Sequence, residues 1–261
     1  MSAPDLAALA ADSGLGEAAI HVRAVAPGGP AWQHDDGRWI YPASMIKLPL
    51  ALAAALAVAD GRLAWSSPVT VDAADLTVND APSPALAGAV LPLEELVTLM
   101  LQRSDNVATN VLISLLGRER ATADLHGLGF PRVAIRRKLS GGAALIADPD
   151  ATGRNSLPAA EAAALFLALA RGQVPDAARL LAMLTGQWWN DRLSQGLAAG
   201  DVFAHKTGET STVAHDGGIV KFANGSQWVV VVYTELASEG ENDLRLGAFM
   251  RALRPCLLAC S

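Results

Sequence analysis

The chain has 261 residues, 51% hydrophobic and 18% charged, which is enough apolar material for one large or two modest domains and too much for a disordered chain. Twenty Lys and Arg against 26 Asp and Glu give a formal charge of −6 with no basic run, arguing against a nucleic-acid partner. The longest apolar stretch, residues 48–59, falls short of the roughly 20 residues a bilayer requires, so no membrane span is expected.

In chain order, the pattern predicts a helix over residues 5–12, a strand over 19–26, a Pro/Gly turn from Pro27 to Pro30 and a short extended piece over 38–41. Helices are expected at 44–59, 92–102, 105–116, 158–171 and 175–184. Pro92 with Glu94 and Glu95, and Pro158 with Glu161, supply entry signals. Residues 138–156 have no period and read as a long loop of the functional or mobile kind. Strands return at 202–205, 217–221 and 228–234, with Asn224-Gly225 as a hairpin turn, and an amphipathic helix over 242–253 closes the chain.

This order implies an α/β (α+β) fold. An antiparallel sheet with flanking helices is built from residues 1–43 and 196–261, an all-helical part spans 44–195, and the site lies in the cleft between them. The first twenty residues hold no Lys or Arg. As written, the chain therefore reads as cytoplasmic, or as periplasmic or secreted if a leader precedes it. Cys256 and Cys260 read as free core thiols, and no histidine spacing suggests a metal site. A monomer without cofactor is expected.

Three short motifs carry chemistry. In Ser44-Met-Ile-Lys47 one helical turn separates hydroxyl and amine, and a lysine in apolar surroundings can lose its proton and accept one from the serine. With 15 Ser and 4 Lys in the chain, chance gives about 0.2 such spacings, so alone the motif is weak. Ser104-Asp105-Asn106 reads equally as a helix N-cap or as a proton-relaying hydroxyl beside a substrate-binding amide. Lys206-Thr207-Gly208 ends a strand and reads as a charged strand end with a turn glycine, or as a docking ledge for an anion or carbonyl.

The combination is specific, since two of only four lysines fall in these motifs; Ser104 follows Ser44 by 60 residues and Lys206 follows Ser104 by 102. The triplet resembles that of the penicilloyl-serine transferases, the class A serine β-lactamases and penicillin-binding proteins, over most of the chain. The resemblance implies an amide or ester substrate, often a β-lactam. It implies Ser44 as nucleophile, Lys47 as proton acceptor, Ser104 as donor to the leaving nitrogen and Lys206 as the group tuning that hydroxyl. Asn106 would hold a substrate amide, Thr207 and Gly208 would form the carboxylate ledge, and the backbone N–H groups of Ser44 and Glu209 would hold the oxyanion.

Two departures stand out. Class A enzymes carry a Glu-x-x-Leu-Asn segment whose glutamate activates the deacylating water, and residues 138–150 contain no glutamate. Asp148 and Asp150 are the available substitutes, or are simply solvated loop carboxylates. No arginine follows Lys206 on the next strand, and Glu209 and Asp216 are expected to make the ledge unwelcoming to anions. His205 and His215 are expected to be strand or turn residues, and Trp188-Trp189 to pack the interdomain seam or, alternatively, to gate the cleft. The implied protein is a serine hydrolase forming a Ser44 acyl-enzyme with slow deacylation. The alternatives are a peptidase, amidase or esterase on the same scaffold, a penicillin-binding protein acylated without turnover, or an inactive relative.

Overall fold

The computed structural model describes residues 3–141 and 146–260. The chain begins with α1 (Leu6–Asp12), capped by the Asp5 carboxylate, and enters β1 (Ala19–Ala24) and β2 (Ala31–His34). The second strand lies earlier than the extended piece expected at 38–41. In its register Val22 opposes Trp32, whose ring stacks 5.1 Å from Trp228, whereas Arg38 is occupied by ion pairs with Asp35 and Glu235.

A 3-10 turn (Ala43–Ile46) then leads into α2 (Lys47–Ala59). Next come two strands of three residues each, β3 (Pro68–Thr70) and β4 (Val90–Pro92), and then α3 (Leu93–Gln102), α4 (Asn106–Leu116) and α5 (Arg118–Gly127). Beyond the long loop lie α6 (Ala159–Ala170) and α7 (Ala177–Thr185). Pro92 and Pro158 stand one residue before the helices they announce, with extended backbone. The chain finishes with β5 (Val202–Glu209), β6 (Ala214–Lys221), β7 (Gln227–Tyr233) and α8 (Gly240–Ala259).

Five strands form one antiparallel sheet in the order β2-β1-β7-β6-β5, so the first two strands complete a sheet whose other half comes from the C-terminal third. The alternation of β7 separates two cores. Trp228, Val230 and Val232 face a cluster formed with α1 and α8, and Val229, Val231 and Tyr233 face the helices that lie between β2 and β5. Val229 to Val232 are fully buried, each worth roughly 1.5–3 kcal/mol of transfer free energy. On the helical side α6 lies against β1, β6 and β7, and α7 against β5. Cys256 and Cys260 are free and half-buried at the C-terminal end of α8, with Cys260 packed against the core cluster and not within it. Among the described residues no helix is long and apolar enough to cross a membrane.

Candidate active site

Ser44 lies in the 3-10 turn and not on the α-helix itself, and the backbone reaches it through Ala43 at φ 45°. A left-handed residue with a Cβ costs on the order of 1–3 kcal/mol and persists only where its surroundings hold it. In a 3-10 turn side chains three apart eclipse one another, so Ser44 and Lys47 still share a face. Pro49 is tolerated because first-turn N–H groups have no intrahelical acceptor.

Lys47 is fully buried, and its Nζ donates to the Ser104 carbonyl at 2.5 Å, Ser104 Oγ at 3.0 Å and Asn106 Oδ1 at 2.7 Å. Ser104 is a second left-handed non-glycine residue, at φ 59°. The cap of α4 is supplied by Asp105, whose carboxylate accepts the Ala108 N–H, which leaves the Ser104 hydroxyl turned to the lysines. The turn is pinned from two directions. Trp189 donates its indole N–H to the Arg103 carbonyl, and Asn79 Oδ1 accepts the Asn106 N–H at 2.5 Å. Asn106 Nδ2 donates to the Val78 carbonyl, so both ends of this side chain are held by the protein. Trp188, expected to pack inside, is 54% exposed beneath the Arg103 guanidinium.

From the sheet, Lys206 Nζ donates to Ser104 Oγ at 2.9 Å and to the Thr207 carbonyl at 2.9 Å. Gly208 is required by close approach, since a Cβ there would stand 2.9 Å from the Pro42 carbonyl oxygen and 3.1 Å from the Met45 N. The three motifs therefore meet around the Ser104 hydroxyl. Ser44, Asn106 and Glu209 line a cavity of about 580 Å³ together with Tyr41, Asp80 and Ser140. Lys47, Ser104, Lys206 and Thr207 are buried. Thr207 is only 3% exposed, so the open part of the expected ledge is Glu209, Thr210 and Ser211.

Burial, reinforced by the charge of Lys206, pushes the Lys47 pKa well below the usual amine value. Burial also lowers Lys206, to about 7, against the opposing pull of Glu209. Two amines held below the usual lysine range by burial, flanking one hydroxyl, can pass a proton in either direction through Ser104.

Arg192 has no signal in the sequence. It stands just before a 3-10 turn (Leu193–Gly196), is 1% exposed, and pairs with Glu209 and Asp243. Glu209 is thus not a bare repulsive charge. Burial raises its pKa, but Arg192 and the Ser238 hydroxyl outweigh that and hold it below the ordinary value. Asp216 does not reach the ledge. It is fully buried on β6, 2.8 Å from His205 Nδ1, and accepts the Leu193 N–H. His205 and His215 are strand residues.

The loop carboxylates also differ from expectation. The Asp148 side chain is only 5% exposed, paired to Arg118 at 2.7 Å and accepting the Lys138 N–H; these contacts overcome burial and hold its pKa below the carboxylate norm. Asp150 alone is exposed to solvent. Among the described residues no group of three His, Cys, Asp or Glu could hold a metal ion.

A five-stranded antiparallel sheet with helices on both faces, and a serine turn packed against two buried lysines, define a β-lactamase-like protein. The chain belongs to the beta-lactamase enzyme family, whose profile matches residues 2–253. A beta-lactamase of Rhodobacter capsulatus is 31% identical over 110 residues, 42% of this chain and 38% of that protein, so the match spans well under half of that relative. The structure of a beta-lactamase from Sphaerobacter thermophilus is 29% identical, with 97% of this chain and 94% of that one covered at a TM-score of 0.81. PBP-A is similar in fold, at 24% identity and a TM-score of 0.81, covering 93% of this chain and 90% of its own.

Proposed function

We propose that this protein is a serine hydrolase of the class A β-lactamase type that opens a small amide or ester, a β-lactam among them, through an acyl-enzyme on Ser44. The observation that carries the reading is the Ser104 hydroxyl held 3.0 Å from Lys47 Nζ and 2.9 Å from Lys206 Nζ, beside the cavity that Ser44 lines. Ser44 Oγ attacks the carbonyl carbon and gives its proton to neutral Lys47. The tetrahedral oxyanion rests on the Ser44 and Glu209 N–H groups. As the C–N bond breaks, Ser104 protonates the departing nitrogen and is itself reprotonated from the lysines. The sheet part, residues 1–43 and 196–261, and the mainly helical part, 44–195, which is not all-helical because it carries the β3–β4 pair, form the two halves of the enzyme. The relative from Sphaerobacter thermophilus is called a beta-lactamase, which supports a β-lactam as substrate.

A second reading, a penicillin-binding protein acylated without turnover, is favoured by the loop. Asp148 is occupied by Arg118, so among the described residues the 138–150 loop brings no carboxylate to the cavity, and Asp80 and Glu209 are the acids that line it. Intact mass followed over time with penicillin G and with an activated ester, beside Ser44→Ala, tests both. A transient adduct with accumulating product supports the hydrolase, and an adduct that persists supports the second reading. No adduct with either compound refutes both.

A further inference from the structure

A second cavity, of about 640 Å³, shares no lining residue with the one at Ser44 and falls in the size range of small-molecule sites. Its apolar lining includes Val133, Ala134 and Ile135, and at its edge stands Trp39, 49% exposed. Three guanidinium groups border it. Arg118 is engaged by Asp148 and the Arg136 carbonyl, and Arg132 donates to the Gly37 carbonyl at 2.6 Å. Arg136 is exposed and, among the described residues, its guanidinium pairs with no carboxylate. The one acid in the lining is Glu119, also exposed. In a chain of formal charge −6, this is a cavity with surplus positive charge, an indole and an apolar lining.

That chemistry fits a flat ring bearing an anionic group, because guanidinium forks pair carboxylates and indoles stack on aromatic faces. The cavity is also tied to the first one. Arg118 holds Asp148, Asp148 accepts the Lys138 N–H, and Lys138 leads into Leu139, Ser140 and Gly141, which line the Ser44 cavity.

We propose that this cavity binds a small aromatic carboxylate, its ring against Trp39 and its carboxylate on Arg136 and Arg132, and that occupancy is transmitted to the loop beside Ser44 through Arg118 and Asp148. The site goes beyond the hydrolase reading and does not depend on it.

Calorimetry on the full chain tests binding, with naphthalene-2-carboxylate, its neutral carboxamide and inorganic phosphate as probes. The carboxylate is expected to bind saturably, about tenfold tighter than either control. Arg136→Ala and Trp39→Ala should each weaken it about fivefold, and Glu119→Gln should tighten it about twofold. Ser44→Ala should leave it unchanged. Absence of saturable binding, or equal affinity in Arg136→Ala, would overturn the site. Hydrogen exchange at the Lys138 amide tests transmission: a change of about threefold on saturation is expected, and an unchanged rate in the bound protein overturns that half.

Discussion

The two sides of the Ser44 cavity are built from different material. On one side the 3-10 turn, the start of α4 and the end of β5 bring together Lys47, Ser104, Asn106 and Lys206, whose polar atoms bond to one another in a fully packed setting. On the other side the loop residues Leu139, Ser140 and Gly141 bring no charge, and the nearby carboxylate of Asp148 is spent on Arg118. On the proposed mechanism, the groups that would move protons at Ser44 are preorganised on rigid elements, as formation of an acyl bond demands. On the same reading, the described residues of the loop offer no free carboxylate that would activate water for its release. Where a side chain is held determines which half of the reaction it can serve.

The largest effect should come from breaking the rigid side. Lys47→Ala removes the proposed proton acceptor and leaves the Ser104 carbonyl and Asn106 Oδ1 without this donor, so the rate of Ser44 acylation should fall by about 10³. Stopped-flow acylation with a chromogenic β-lactam measures it, and a loss of less than about tenfold would show that the buried amine is not the base.

The converse experiment repairs the loop. Ser140 lines the cavity, and Ser140→Glu would place there the carboxylate that Asp148 cannot supply. The lifetime of the acyl adduct should shorten by about tenfold or more with acylation little changed. An adduct equally long-lived in the variant would mean that water access, not a base, limits release.

Much of the rigid side was legible in the sequence, because it consists of contiguous motifs with fixed internal spacing on strongly patterned elements. Val229 to Val232 announced a buried strand, and Lys206 lies on a strand two positions away from it in the sheet order. What escaped depends on distant partners. Arg192 stands in an irregular stretch and acquires meaning only when Glu209 and Asp243 fold beside it. Asn79 stands in a loop with no period, yet it holds the N-terminus of α4. The helix α5 was missed because only Arg118, Ala121 and Leu125 of its ten residues are buried, leaving no apolar stripe to read. Strands β3 and β4 are three residues long with a proline in each, below what alternation can signal.

Glu209→Gln sharpens the comparison at the substrate's charged end. Arg192 is now masked by Glu209, and its Nη1 has no hydrogen-bond partner. Neutralising the glutamate should expose a cation to an incoming carboxylate, raising the acylation efficiency of penicillin G by about five- to tenfold while an uncharged ester changes little. Equal effects on both substrates would assign Glu209 a structural role, and no effect on either would remove it from recognition.

The smallest effect concerns the support beneath the serine turn. His215 is fully buried, its Nε2 is 2.9 Å from the Tyr41 carbonyl, and its Nδ1 accepts the Thr234 N–H. It is therefore a neutral ring, and burial lowers its pKa to about 4 from the ordinary 6.5. Below the ordinary value the unfolded chain binds a proton that the folded one refuses, so this group's contribution to stability falls as pH drops through that window. From pH 7 to pH 5 the loss should be about 2 kcal/mol. In His215→Gln, which keeps a donor and an acceptor without a titrating ring, the same interval should cost correspondingly less. Urea unfolding of both proteins at the two pH values makes the comparison. Parallel pH dependence would mean that the ring beneath Tyr41 does not titrate in this range, and that acid sensitivity arises from carboxylates elsewhere.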